Sequence, residues 1–198
     1  MNQQPTSPVM RRRTLVKGAG WSVPAVALSA AAPAVAASSD IPPDGLNGWV
    51  TLQRQCSANG PDFIINGIGN FTDGGNSDRG IWVFIADPNA TIENATIIFF
   101  FNRSDLVFTN GSESGWTNLV RSPSDDASRP ASGYYAYKAT YSGSWTYNTR
   151  YTAWVANGDP YWSVAGMSQC STAVSAYARR SVVTNKKLVV FTRGPISV

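Results

Sequence analysis

Residues 134–155 read YYAYKATYSGSWTYNTRYTAWV. Tyr135, Tyr137 and Tyr141 fall on one face of the first half, and Trp145, Tyr147 and Tyr151 on one face of the second. That is the two-residue period of a β-strand. Ser142-Gly143-Ser144 offers a turn between the halves, so Tyr134–Tyr141 and Trp145–Val155 are predicted to pair as a hairpin. A second hairpin is expected from Thr172–Val183 and Lys187–Thr192, joined at Thr184-Asn185-Lys186, with Gly194-Pro195 stopping the last strand. Further out, Trp49–Cys56 sets Val50, Leu52 and Cys56 on one face, and Phe63–Ile68 follows a Gly-Pro-Asp turn. Ile81–Ile85 and Thr96–Phe101 are apolar on both faces, as in strands with little solvent exposure. No 3.6-residue pattern of useful length competes. Residues 47–198 are expected to form one all-β domain, an immunoglobulin-like β-sandwich of eight or nine antiparallel strands.

Composition narrows the chemistry. The 198 residues contain no histidine, which excludes Ser-His-Asp and Cys-His nucleophile systems, His-ligated zinc and His-based pH switches. At 14% charged and 12% aromatic, the chain is too apolar for disorder and unlike a helical bundle. The formal charge of +4 is unevenly placed: Arg11, Arg12, Arg13 and Lys17 are four of the 16 basic residues, and no acid precedes Asp40. The 12 remaining bases match the 12 acids, so no nucleic-acid footprint is expected, since that needs clustered Lys and Arg to displace counterions.

Residues 1–36 have the layout of an export signal: a basic start, an uncharged Ala-rich stretch broken by Gly18, Gly20, Pro24 and Pro33, and a small-residue end. Its weak hydrophobicity favours cleavage over a retained anchor, and no membrane span is expected afterwards. Small residues at Ala34 and Ala36 predict a cut before Ala37, with one before Ser38 as the alternative, and residues 37–46 read as a linker. Arg12-Arg13-Thr14-Leu15-Val16-Lys17 resembles the twin-arginine export motif: two arginines, a spacer, two apolar residues and lysine. Arg11 departs from it, standing where Ser or Thr is usual. The leader is similar to those of actinobacterial secreted proteins, and the whole-chain pattern to small secreted sandwiches of undefined role. The resemblance implies the export machinery as a partner, a secreted or envelope-associated location, and passage of the domain already folded.

Cys56 and Cys170 are the 2 cysteines. In an exported chain a structural disulfide is the better reading, with two buried thiols as the alternative.

Candidate contact residues are aromatic. Tyr135, Tyr137 and Tyr147 lie on the strand faces above; pointing outward they would stack sugar rings, pointing inward they would be core, which is the commoner fate of strand aromatics. Trp154 lies on the face opposite Trp145, and Tyr161 and Trp162 close the turn-like Asn157-Gly158-Asp159-Pro160. Trp and Tyr in a loop suit binding better than packing. The loop from Asp73 to Asp78 carries oxygen ligands without a calcium-loop spacing and reads as a turn; no metal and no cofactor is expected. Asp125 with Asp126 or Asp159 is the only carboxylate pairing offered for glycoside hydrolysis, and adjacent acids in a Pro/Ser loop suit a solvated turn better. The expected function is therefore non-enzymatic binding or structural contact at or outside the cell envelope, with a cell-wall, glycan or protein partner. A carbohydrate-binding module using Tyr/Trp faces, and a hydrolase using a carboxylate pair, are the alternatives.

Overall fold

The computed structural model describes residues 45–48, 50–56, 60–67, 80–113, 115–167 and 170–198. All belong to the unit Ile41–Val198. The export motif, the cleavage site and the 73–78 loop expected from the sequence lie outside the described residues.

The chain is all-β. Among the described residues it forms β1 (Gly45–Asn47), β2 (Thr51–Arg54), β3 (Phe63–Asn66), β4 (Trp82–Phe84), β5 (Ile92–Phe101), β6 (Thr109–Asn110) and β7 (Val120–Arg121). A 3-10 helix over Pro123–Ser128 follows, then β8 (Tyr135–Tyr141), β9 (Trp145–Asn148), β10 (Ala153–Ala156), β11 (Tyr161–Val164), β12 (Ser175–Thr184) and β13 (Lys187–Ser197). The strands assemble as β1-β4-β10-β9, β2-β3-β11-β6 and β13-β12-β5-β8-β7, with every pairing antiparallel. No described helix is long and apolar enough to cross a membrane.

The inner faces of all three sheets close on one core. Leu46 comes from the first sheet, Leu52, Phe63, Ile65 and Trp162 from the second, and Ile97, Phe99, Phe101, Tyr137 and Val182 from the third. Rings bridge the layers edge to face, Phe63 on Phe101 at 5.7 Å and Trp162 on Phe99 at 6.1 Å. β5 is buried on both sides, as its sequence predicts: Ile97, Phe99 and Phe101 enter this core, while Ile98 and Phe100 pack outward with Ala136 under Tyr134 and Tyr177.

Three expectations about the strands are corrected. First, β8 and β9 do not pair: β8 joins the five-stranded sheet, and β9 forms its own hairpin with β10. The chain leaves the sheet by folding over its own Tyr141 ring. Gly143 lies so close that a Cβ there would come within 2.5 Å of the ring, and the Ser142 N–H donates to Gly115 O at 2.9 Å. Second, β13 runs through Gly194-Pro195 to Ser197, because a bulge opposite Ala176 and Ala178 absorbs the extra residue. Proline is tolerated there because β13 is an edge strand whose outward N–H groups have no ladder partner to lose. Third, the strands number thirteen among the described residues, since the expected long runs are cut: β9 and β10 divide the 145–155 run.

The second hairpin forms where expected. Asn185 and Lys186 have φ of 49° and 66°, the left-handed pair that a two-residue turn requires between strands of right-handed twist. The disulfide also forms: Cys56, just after β2, is bonded to Cys170, between β11 and β12. Beside it Asp62 is buried, its Oδ2 accepting the Met167 N–H at 2.6 Å and its backbone O the Gln55 N–H at 2.9 Å.

Candidate functional site: a groove beside Trp145

β5 begins irregularly. Ser181 pairs with Thr96 and Val183 with Glu93, so Asn94 and Ala95 together oppose Val182 alone, and Asn94 takes φ 51°. This is a β-bulge, a device that bends a strand and re-aims its side chains. It opens a groove of about 580 Å³ floored by Glu93, Asn94 and Thr96 of β5 and by Lys138 and Thr140 of β8, with Trp145 at one end. Trp145 is half-buried and packs edge to face on Tyr141 at 5.5 Å, which fixes its ring. Tyr141 is held in turn: its hydroxyl donates to Ser144 O at 2.7 Å and accepts the Gly158 N–H at 3.0 Å, and burial raises its pKa. The groove thus combines one fixed indole wall with hydroxyl, amide, ammonium and carboxylate groups. An aromatic face takes the C–H side of a sugar, and polar groups placed around it take the hydroxyls.

The contact residues named from sequence fall elsewhere. Trp162 is a correction: it sits in strand β11, fully buried, with Nε1 donating to Thr117 O at 3.2 Å and its ring against Trp116 at 5.6 Å. The turn ends at Pro160, so alternation sends Tyr161 outward and Trp162 inward. Tyr161 is half-buried beside Gly111, where a Cβ would meet its ring at 2.7 Å. Tyr137 is likewise core at 0% exposure, its hydroxyl accepting the Leu106 N–H at 3.1 Å, and burial raises its pKa. Tyr135 lies under the Arg121 guanidinium, 5.3 Å from the ring centre, so this tyrosine row offers no outward platform. Tyr147 and Trp154 pack edge to face at 5.4 Å and spend their polar tips on one loop: the Tyr147 hydroxyl donates to Ala86 O and the Trp154 Nε1 to Asp87 O. Tyr151 belongs to the turn after β9 and packs on Trp82 at 5.6 Å, on a different cluster from Trp145.

The acidic pair proposed for hydrolysis is structural. Asp126 accepts from Arg121 Nη1 at 3.0 Å and from the Ala136 N–H at 2.7 Å, and the hydrogen bond from Arg121 holds its pKa below the ordinary value. Asp125 accepts from the Ser122 hydroxyl at 2.6 Å and faces Lys138 Nζ at 3.4 Å. These contacts build the 3-10 helix out of what the sequence presents as a loose loop. No group of three or more His, Cys, Asp or Glu side chains placed to hold a metal occurs among the described residues. Because the native pKa of Asp126 is depressed, its contribution to stability is complete above the unfolded value near 4 and is lost as pH falls through the lower native value. Asp126→Asn is therefore expected to unfold earlier than wild type at pH 7, with the gap closing in acid below about pH 4, as urea melts at a series of pH values would show.

The sequence reading missed the groove. Its trace is the polar start Glu93-Asn94 of the run from Ile92 to Phe101, where Asn94 is a residue that tolerates the left-handed backbone. Comparison with protein-family models, with curated proteins and with solved structures finds no match for this chain.

Proposed function

We propose that this chain is an exported, non-enzymatic immunoglobulin-like sandwich that binds a glycan of the cell envelope in the groove beside Trp145. The observation that carries the reading is the groove itself: an indole held edge-on by Tyr141, next to Glu93, Asn94, Thr96 and Lys138 in about 580 Å³. Its lining residues come from two paired strands, β5 and β8, so the backbone that carries the polar groups is ordered before a ligand arrives. A binding role is favoured over hydrolysis because Asp125 and Asp126 are committed to Ser122, Lys138, Arg121 and Ala136. The Cys56–Cys170 bond supports a destination outside the reducing cytoplasm. The Arg12-Arg13 motif and the Ala34/Ala36 cleavage signal support the twin-arginine route, an actinobacterial source and removal of residues 1–36.

The test is retention on insoluble cell-wall glycan. Wild type is expected to be retained and Trp145→Ala to elute about tenfold more readily, equivalent to about 1.4 kcal/mol of lost contact. Because Trp145 packs on Tyr141 at the edge of the core, the variant is expected to melt below wild type while keeping a cooperative transition, and retention is compared at a temperature where both are folded. Equal retention of a folded Trp145→Ala would remove the groove from the account.

A further inference from the structure

The inner face of β12 presents Ala176, Ala178, Arg180, Val182 and Thr184, and four of these suit a sandwich interior by size and polarity. Arg180 does not. It is 0% exposed, lies between Ala178 and Val182, and faces Ile97 of β5 and Phe191 of β13 across the ladder. Its Nε donates to Gly80 O at 3.2 Å. Among the described residues neither Nη1 nor Nη2 has a hydrogen-bond partner, so four of the five N–H donors of the guanidinium are unused there. Thr184, further along the same face, is also buried with an unpartnered hydroxyl.

An arginine in this position stays charged. Burial and then the nearby charge of Arg193 lower its pKa to about 9, still above neutrality. A buried charge without partners is among the costliest arrangements a fold can hold, and removing an acceptor from such a group strongly destabilises it. The surrounding hairpin supplies no counter-charge. No acid follows Asp159 in the sequence, whereas Arg179, Arg180, Lys186, Lys187 and Arg193 do. The neutral total of the body therefore conceals a basic C-terminal hairpin. Among the described acids, Asp62, Asp87, Asp105, Glu113, Asp125 and Asp126 are each engaged elsewhere, Glu93 lines the groove at the β5 bulge, and Asp159, whose Oδ1 lies 3.9 Å from the position of a Cβ on Gly80, forms no hydrogen bond with the Arg180 Nη atoms. Arg193 itself is exposed on the edge strand β13, where it extends positive potential from the buried guanidinium to the surface.

We infer that the Arg180 guanidinium is an anion site: a small oxyanion, carboxylate or phosphate in type, accepts from Nη1 and Nη2 on the inner side of β12 beside Gly80. The planar pair of parallel donors fits two oxygens of one such group better than a spherical halide. The occupant stabilises the native state alone, so the melting temperature depends on its concentration.

Thermal melts of the full chain at fixed ionic strength, with sodium phosphate, sulfate or acetate replacing chloride, read this directly. Wild type is expected to show a saturable rise in Tm with at least one of the three anions, and phosphate against acetate decides which type of oxyanion fits. Arg180→Met is expected to show none. Arg180→Lys keeps the charge and loses the paired donors; its response should need at least about tenfold more anion, as expected for a lost charge-assisted hydrogen bond. This second variant keeps the test decisive should Arg180→Met fail to fold. A wild-type Tm indifferent to all three anions, or an equal rise in wild type and Arg180→Lys, would overturn the proposal. So would an indifferent wild type in which Asp73→Asn or Asp78→Asn lowers Tm as much as Arg180→Met, because the chain's own carboxylate would then be the acceptor.

Discussion

Cys56→Ser is expected to lower the unfolding free energy by up to about 4–5 kcal/mol and still leave a cooperative transition. The size follows from the 114-residue separation of the two cysteines, which makes the cross-link a strong restriction on the unfolded chain. The persistence of the transition follows from where the bond sits. It joins the ends of two segments flanking β2 and β11, and the core of Phe63, Ile65, Phe99, Phe101, Tyr137 and Trp162 lies between the sheets. Asp62 ties the same two segments without sulfur, through its carboxylate to Met167 and its N–H to Val164 O at 2.7 Å. Denaturant melts of the variant, and of wild type with and without reductant, check the size. A variant with no cooperative transition would contradict a core that folds before the bond forms, and with it the folded-state export that the twin-arginine resemblance implies.

Trp162→Ala is expected to cost about 3–5 kcal/mol, the range for emptying a buried aromatic site. The indole touches both layers, edge to face against Phe99 at 6.1 Å and Trp116 at 5.6 Å, and its N–H satisfies Thr117 O. Truncation therefore opens a cavity and also removes the hydrogen bond to Thr117 O. Trp145 is half-buried and touches the core on one side only, so Trp145→Ala is expected to cost less stability than Trp162→Ala and to weaken binding as well. Equilibrium unfolding of the two variants side by side distinguishes core from contact; a Trp162→Ala protein as stable as wild type would refute its burial.

Much of the architecture was legible because alternation and apolar runs are local signals. Ile97–Phe101 reads as a strand covered on both faces and is one, and the Asn185-Lys186 turn is set by a residue that tolerates positive φ. Pairing was less legible. Periodicity marks Tyr135–Tyr141 and Trp145–Asn148 as strands without saying which partner each takes, and the crossing depends on Gly143 lying against Tyr141 and on a bond from Ser142 to Gly115. Trp162 was misplaced because a turn ending at Pro160 and a strand starting at Tyr161 leave no gap in the sequence to mark the change. The groove is hidden for a related reason: a bulge at Asn94 and Ala95 breaks the two-residue period at the point where the side chains are re-aimed. Arg180 sits in an alternating row with Ala176, Ala178, Val182 and Thr184, and only its burial reveals that no described side chain answers its charge.

Fractionation of host cells that express the wild-type chain or Trp145→Ala tests whether an exported domain holds an envelope glycan beside Trp145. The account predicts that wild type is recovered with the cell wall as a chain beginning at Ala37, with Cys56 and Cys170 bonded, and that folded Trp145→Ala shifts to the culture medium with the same N-terminus. A full-length chain in the cytosol, or wild type and Trp145→Ala distributed alike between wall and medium, would contradict it.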